Sequence, residues 1–130
     1  MDEQQITIYE AVGGHRFFEE LVDRFYAGVA DDPILLPLYP EQEDLTGAKE
    51  RLTLFLCQYW GGPTTYSDTR GHPRLRMRHH PFTIGTAERD AWLAHMTVAV
   101  DEAEDLHPEV AARFHQYFAM AADHLINAPG

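Results

Sequence analysis

The segment RGHPRLRMRHHPF, residues 70–82, holds an unusual share of the positive charge of this chain. The protein has 130 residues and a formal net charge of −11, with only 10 lysines and arginines. Several of those cations and three histidines lie together in this segment: Arg70, Arg74, Arg76, Arg78, His72, His79 and His80. An acidic protein that gathers cations and imidazoles in one place suggests a specific site rather than a general basic surface.

Composition and charge bound the class of protein. A hydrophobic content of 45% over 130 residues predicts one globular domain, residues 1–130, with residues 1–7 as an N-terminal extension. No apolar run approaches the roughly 18 residues of a membrane span, and the acidic, polar start of the chain is not a signal peptide. The single cysteine, Cys57, excludes an internal disulfide. We expect a cytoplasmic protein that binds neither nucleic acid nor a membrane.

Hydrophobic periodicity predicts helices almost throughout. Phe18, Val22, Phe25 and Val29 recur at the spacing of one helix face. The same pattern is found in four long segments: residues 15–32, 45–60, 86–106 and 108–130. Prolines restrict residues 32–40 to a helical turn or two, a short helix is expected near residues 8–12, and the turn-like residues 62–71 predict a surface loop. No alternating strand pattern is present, so the predicted fold class is all-α.

Within the opening segment, His79 is the residue best placed to point inward. Pro73 can begin a helix and Pro81 disfavours helical dihedrals at the residue before it, so a short helix is expected from about residue 73 to 79. Leu75 and His79 are four residues apart and share a face, whereas His80 lies past the helix end. The alternative interpretation is a surface basic loop with an incidental histidine, and for any single histidine that is the commoner case.

The surroundings of His79 do not predict a metal site made by protein ligands alone. The chain has no His-x-x-x-His pair and no second cysteine, and no acidic residue lies within a turn of His79. A lone inward histidine in an aromatic-rich helical domain instead indicates iron carried by a macrocycle. Haem needs one axial ligand, an apolar slot and cations for its propionates, and a Cys-x-x-Cys-His attachment motif is absent.

Several further motifs resemble those of the group II truncated haemoglobins over nearly the whole chain. They are YEAVGG (9–14), FY (25–26), YPE (39–41), QYWGGP (58–63) and ERDAWL (88–93), in addition to residues 70–82. The resemblance implies a two-over-two helical sandwich around non-covalent haem b. It also implies that His79 is the proximal iron ligand, in agreement with the helix argument.

The resemblance also assigns the side of the pocket that faces the bound ligand. Family members contact the ligand from positions that match Tyr26, Tyr39 and Trp92, which offer two phenolic O–H groups and one indole N–H. Ala48 stands where other globins often place a distal His or Gln, and Leu52 one turn on is apolar. Without the resemblance, all three aromatic residues would be interpreted as core residues that only pack.

The remaining cofactor contacts follow from the same resemblance. Arg51 and Arg78 are expected to pair with the haem propionates, while Arg74 and Arg76 face solvent. The residues expected to contact the macrocycle are Ala48, Leu52, Phe55, Leu56, Tyr66 from the loop, Phe82, Ile84, Trp92 and, deeper in, Met96.

Such a pocket favours retention of O₂, because hydrogen bonds to its partial negative charge slow its escape. We expect tight O₂ binding that supports redox chemistry of O₂, NO or peroxide, such as NO dioxygenation or a peroxidase-like activity with an external reductant. Expected partners are O₂, NO, CO, peroxide or anionic ligands and an unidentified reductase; a homo-oligomer is left open. The alternatives are a non-catalytic O₂ sensor or store, and a haem-free helical interaction domain.

Overall fold

Four long helices and three short helical segments form the described part of the chain. The computed structural model describes residues 6–39, 44–71, 84–104 and 106–126. The long helices are α2 (His15–Val29), α3 (Thr46–Tyr59), α5 (Thr86–Asp101) and α6 (Pro108–His124). The short ones are α1 (Ile8–Ala11), a 3₁₀ turn (Leu36–Leu38) and α4 (Thr65–Arg70). These residues contain no strand, which confirms the all-α prediction.

Helix α2 buries the face that its periodicity predicts. Phe18, Val22, Phe25 and Val29 are all completely buried, and the two residues expected to widen this face, Leu21 and Tyr26, are buried as well. The aromatic members pack edge to face with other rings, for example Phe25 with Tyr26 at a centroid distance of 4.9 Å. Helix α2 therefore forms the centre of the core.

Helix α3 presents two faces to the interior. Leu56 and Cys57 are buried against the core, while Leu52 and Phe55 are half-buried on an adjoining face. The helical spacing of Ala48, Leu52, Phe55 and Tyr59 predicts that all four share one face, but Tyr59 is 49% exposed, so this prediction is wrong for Tyr59. Tyr59 lies in the last turn of α3, where its ring packs on Tyr117 at 4.2 Å between centroids, at the edge of the core.

Two glycines allow α1 to pack against the end of α3. Gly61 has a φ of +102°, a left-handed conformation that glycine adopts without strain. At Gly62, a Cβ atom would lie 2.6 Å from the Tyr9 ring and 2.8 Å from the carbonyl oxygen of Cys57. The Tyr9 N–H donates to the Trp60 carbonyl at 2.9 Å. A side chain at either glycine would therefore push α1 away from α3.

The surface loop predicted for residues 62–71 is wrong in part, because α4 occupies Thr65–Arg70. The side chain of Gln58 stabilises this helix from α3. Its Oε1 accepts the Ser67 N–H at 3.0 Å, and its Nε2 donates to Ser67 Oγ at 2.8 Å. Threonine and serine have low intrinsic helix propensity, so the local sequence is typical of a loop. A partner from another helix and the burial of Tyr66 stabilise the helix instead.

The long helices pack as a two-over-two sandwich. Helix α2 contacts α3 in one layer and α5 in the other, and α5 contacts α6. Pro108 is the first residue of α6, as predicted, and the His107 ring caps the helix by accepting the Glu109 N–H at 3.1 Å. None of the helices in the described ranges is long and apolar enough to cross a membrane. The sandwich leaves a cavity between α3 and the second half of α6, which contains the candidate site.

Candidate functional site

A cavity of about 500 Å³ opens between the helices, within the size range of cofactor pockets. Most of the residues predicted from the sequence lie in its wall. They are Tyr26, Tyr39, Ala48, Arg51, Leu52, Phe55, Leu56, Tyr66, Ile84 and Trp92. They come from four helices and two connecting segments, so tertiary packing alone brings them together.

Two tyrosines form a hydrogen-bonded pair in the cavity wall. Tyr26 projects from α2, and Tyr39 follows the 3₁₀ turn; their rings meet edge to face at 5.5 Å. Burial raises the pKa of both hydroxyls, and their shared hydrogen bond contributes to the rise at Tyr26. The charge of Arg51 lowers the pKa of Tyr26 by a smaller amount. Both phenols are therefore protonated at neutral pH, and since one O–H serves the pair, the other can donate to a ligand.

The indole of Trp92 is held in the same wall by two phenylalanines. Its ring meets Phe25 of α2 at 5.4 Å and Phe118 of α6 at 5.8 Å, both edge to face. An indole N–H can only donate, so Trp92 offers a donor that does not depend on pH.

Three arginines contribute to the wall, and only one of them was expected. Arg51 lies on α3 as predicted, and Arg70 and Arg89 join it. Arg70 stands over the Tyr66 ring at 6.0 Å, and Arg89 forms ion pairs with Asp90 and Asp123. The spacing could have revealed Arg89, because it lies three residues before Trp92 and hence on the same side of α5.

The second half of α6 forms a wall that sequence reasoning missed. Tyr117, Phe118, Ala121, Ala122 and Leu125 all line the cavity. Tyr117, Ala121 and Leu125 lie at helical spacing, yet an apolar stripe of this kind looks the same whether it faces a core or a cofactor. Only the gap left between α6 and α3 distinguishes the two cases.

Two expectations for this site need correction. Tyr66 lines the cavity and is buried, but it comes from helix α4 and not from a loop. Met96 does not line the cavity; it is completely buried in the core. Helix α5 approaches α2 so closely beside Met96 that a Cβ at Gly28 would lie 2.4 Å from the His95 ring. The cavity does not extend into this contact, so Met96 has protein on all sides.

The residues present suit a haem group. The wall is largely apolar and aromatic, and it includes three guanidinium groups of the kind that pair with carboxylates. The described lining contains no His, Cys or Met, and the described residues hold no cluster of metal-binding side chains. A cofactor that carries its own metal, and needs only one ligand from the protein, fits a cavity with such a lining. The predicted ligand His79, with Arg78 and Phe82, lies outside the described residues.

An all-helical sandwich around an apolar cavity with cationic side chains is the architecture of a globin, and comparisons with known proteins agree. Residues 7–126 match the family model of the bacterial-like globins. The chain is 40% identical to the "Group 2 truncated hemoglobin YjbI" of Bacillus subtilis, over 92% of this chain and 87% of the relative.

Solved structures point to the same group. A thermostable haemoglobin from the actinobacterium Thermobifida fusca superposes with a TM-score of 0.91 and 56% identity, covering 96% of this chain and 100% of the other. A truncated oxygen-avid haemoglobin from Bacillus subtilis superposes with a TM-score of 0.86 and 39% identity, covering 94% and 100%.

The chain belongs to the bacterial-like globins, and within them to the group II truncated haemoglobins. It therefore binds haem b non-covalently and binds O₂.

Proposed function

We propose that this globin binds O₂ tightly and serves redox chemistry of O₂, NO or peroxide. The observation that carries the proposal is the convergence of Tyr26, Tyr39 and Trp92 on one cavity, each with an O–H or N–H group. The relative described as oxygen-avid shares 39% of its sequence with this chain and supports the same conclusion.

Haem iron, when bound, supplies the position at which O₂ is held and places partial negative charge on it. The donors act on that charge. A hydrogen bond to a charged group contributes roughly 1.5–3 kcal/mol, and 1.36 kcal/mol corresponds to about a factor of ten in rate. One donor can thus slow the escape of O₂ by about tenfold. An oxygen carrier must release its ligand, so several donors favour a protein that holds O₂ while it reacts.

NO, O₂ and one electron combine to form nitrate. An external reductase supplies that electron and so returns the protein to the form that binds O₂. The apolar wall formed by Leu52, Phe55 and Phe118 excludes bulk water from the reactants. The acidic chain with its one cysteine supports a reducing, cytoplasmic location for this activity.

The test replaces the donors one at a time. Trp92→Phe keeps an aromatic ring and removes the N–H, so O₂ dissociation measured by stopped flow should accelerate by about tenfold. Tyr26→Phe and Tyr39→Phe should each have a smaller effect, because the remaining hydroxyl can turn to the ligand. An unchanged O₂ dissociation rate in Trp92→Phe would remove the main support for retention.

The redox use is tested separately by mixing the oxygenated protein with NO. Rapid, stoichiometric formation of nitrate supports the enzymatic function. Tight O₂ binding without NO or peroxide consumption would instead favour the alternative, a sensor or store.

A further inference from the structure

A histidine and an aspartate outside the cavity connect two of the elements that build it. His95 of α5 and Asp32, in the turn after α2, lie 2.6 Å apart between Nε2 and Oδ2. Their side chains are only 30% and 14% exposed, so solvent does not freely compete for this contact. The hydrogen bond to His95 is the largest cause of a lowered pKa at Asp32, which is therefore an ionised acceptor at neutral pH.

Asp32 also organises the segment that leads to Tyr39. Its Oδ1 accepts the backbone N–H of Ile34 at 2.7 Å and that of Leu35 at 3.3 Å. Leu35 is buried and lines the cavity, and the 3₁₀ turn that precedes Tyr39 begins at the next residue. One carboxylate thus holds α5 with one oxygen and the start of the tyrosine-bearing segment with the other.

On the other side of the contact, His95 is held close to Trp92. The two residues are three apart on α5 and so lie on neighbouring turns of the helix. The imidazole fills the space left by Gly28, where even a Cβ would lie 2.4 Å from Nδ1. Gly28 is two residues from Tyr26 on α2. The imidazole therefore sets the distance between the helices that carry Trp92 and Tyr26.

We propose that His95 and Asp32 are positioning residues. They hold Trp92 at a fixed distance from Tyr26 and Tyr39, so that the three donors converge on one ligand. The proposal rests on the proposed function of those donors. Neither residue lines the cavity, so both act through the backbone elements that they connect. A shift of a donor by about 1 Å is enough to weaken its hydrogen bond to a ligand. Loss of the His95–Asp32 contact should therefore change ligand binding.

The first measurement observes Trp92 directly. The chain has two tryptophans, Trp60 and Trp92, so the indole N–H region of a ¹⁵N-correlated NMR spectrum has two cross-peaks. Trp60 packs against Phe114 and Tyr117 of α6 and serves as the internal reference. In the carbon monoxide complex of the haem-loaded protein, Asp32→Ala and His95→Ala should shift or broaden the Trp92 cross-peak while that of Trp60 stays in place.

The second measurement is the O₂ dissociation rate. Each alanine variant should raise it at least about twofold, and the double variant should show no more than the larger single effect, because the two residues act as a unit. His95→Gln keeps a side-chain N–H donor near Asp32 and should retain most of the wild-type rate, whereas Asp32→Asn keeps only one of the two accepting oxygens and should retain less. A general loss of stability would not be rescued in this way.

The matched control is another histidine–aspartate contact, made by α6 with the last residue of α5. His115 Nε2 lies 2.9 Å from Asp101 Oδ1 at the far end of α5, and both side chains are more exposed. His115→Ala should change neither the Trp92 cross-peak nor the O₂ rate.

The proposal fails if Asp32→Ala and His95→Ala leave the Trp92 cross-peak unchanged in folded, haem-loaded protein. It also fails if His115→Ala moves that peak equally. If the peak moves but Trp92→Phe does not alter the O₂ rate, the positioning role stands and the proposed function fails instead.

Discussion

At the scale of single residues, the pocket combines hydrogen-bond donors that stay protonated at neutral pH. Burial raises the pKa of Tyr26 and Tyr39, and the indole N–H of Trp92 has no titration near neutral pH. Each side chain is ordinary by itself. Their chemistry becomes specific because all three side chains line one largely apolar cavity.

The iron ligand is the clearest test at this scale. His79 stays a prediction from the sequence, since it lies outside the described residues. His79→Gly should lose haem, or bind it only when imidazole is added to replace the missing ring. His80→Ala should keep a normal visible spectrum, because that residue lies past the end of the expected helix. Equal haem loss from both variants would show that the assignment of His79 is wrong.

At the scale of elements, a glycine permits the close contact of α2 with α5. Gly28 provides it, and the His95 ring occupies the space that any side chain would need. Arg24 strengthens the same interface by donating from Nε to the Ala99 carbonyl at 3.0 Å. The pocket thus depends on a contact between helices that are far apart in the sequence.

This contact reverses the usual effect of a glycine replacement in a helix. Gly28→Ala should gain up to about 1 kcal/mol from helix propensity, but the new Cβ meets an imidazole held by Asp32. We expect a net destabilisation of about 1–3 kcal/mol in urea unfolding, the usual cost of overpacking. In a His95→Ala background the ring is gone, and the same replacement should be neutral or stabilising. Destabilisation of the same size in both backgrounds would contradict this explanation.

At the scale of the whole molecule, an acidic protein concentrates cations at its cofactor pocket. The formal net charge is −11, yet Arg51, Arg70 and Arg89 all contribute to the cavity wall. Two carboxylates on a haem group are the partners that such a local concentration suits. Arg89 already forms ion pairs with Asp90 and Asp123, so we expect the haem carboxylates to pair chiefly with Arg51, as the sequence predicts.

Haem retention tests this interpretation. Arg51→Gln should speed haem transfer to an excess of an acceptor globin by up to about tenfold, the value of one charged hydrogen bond. The effect should be larger at low salt, where screening is weak. Arg16→Gln is the matched control, because Arg16 is 85% exposed and pairs with Glu20 within α2. Equal acceleration by both changes would indicate a general charge effect and not propionate pairing.

The sequence by itself determined the helices and was enough to name the candidate donors. Helical periodicity and the breaks at proline and glycine are local properties, so α2, α3, α5 and α6 could be predicted from neighbouring residues. Motif resemblance was enough to choose Tyr26, Tyr39 and Trp92.

Only the tertiary structure decided which side chains share the cavity. Helix α4 is stabilised by two hydrogen bonds between its Ser67 and Gln58 of another helix, and Met96 lies outside the cavity because α5 meets α2 beside it. Asp32 and His95 are 63 residues apart, and nothing in either local sequence indicates that they meet. Contacts of this kind depend on how helices cross, and a residue's periodicity specifies which face is apolar but not what lies opposite that face.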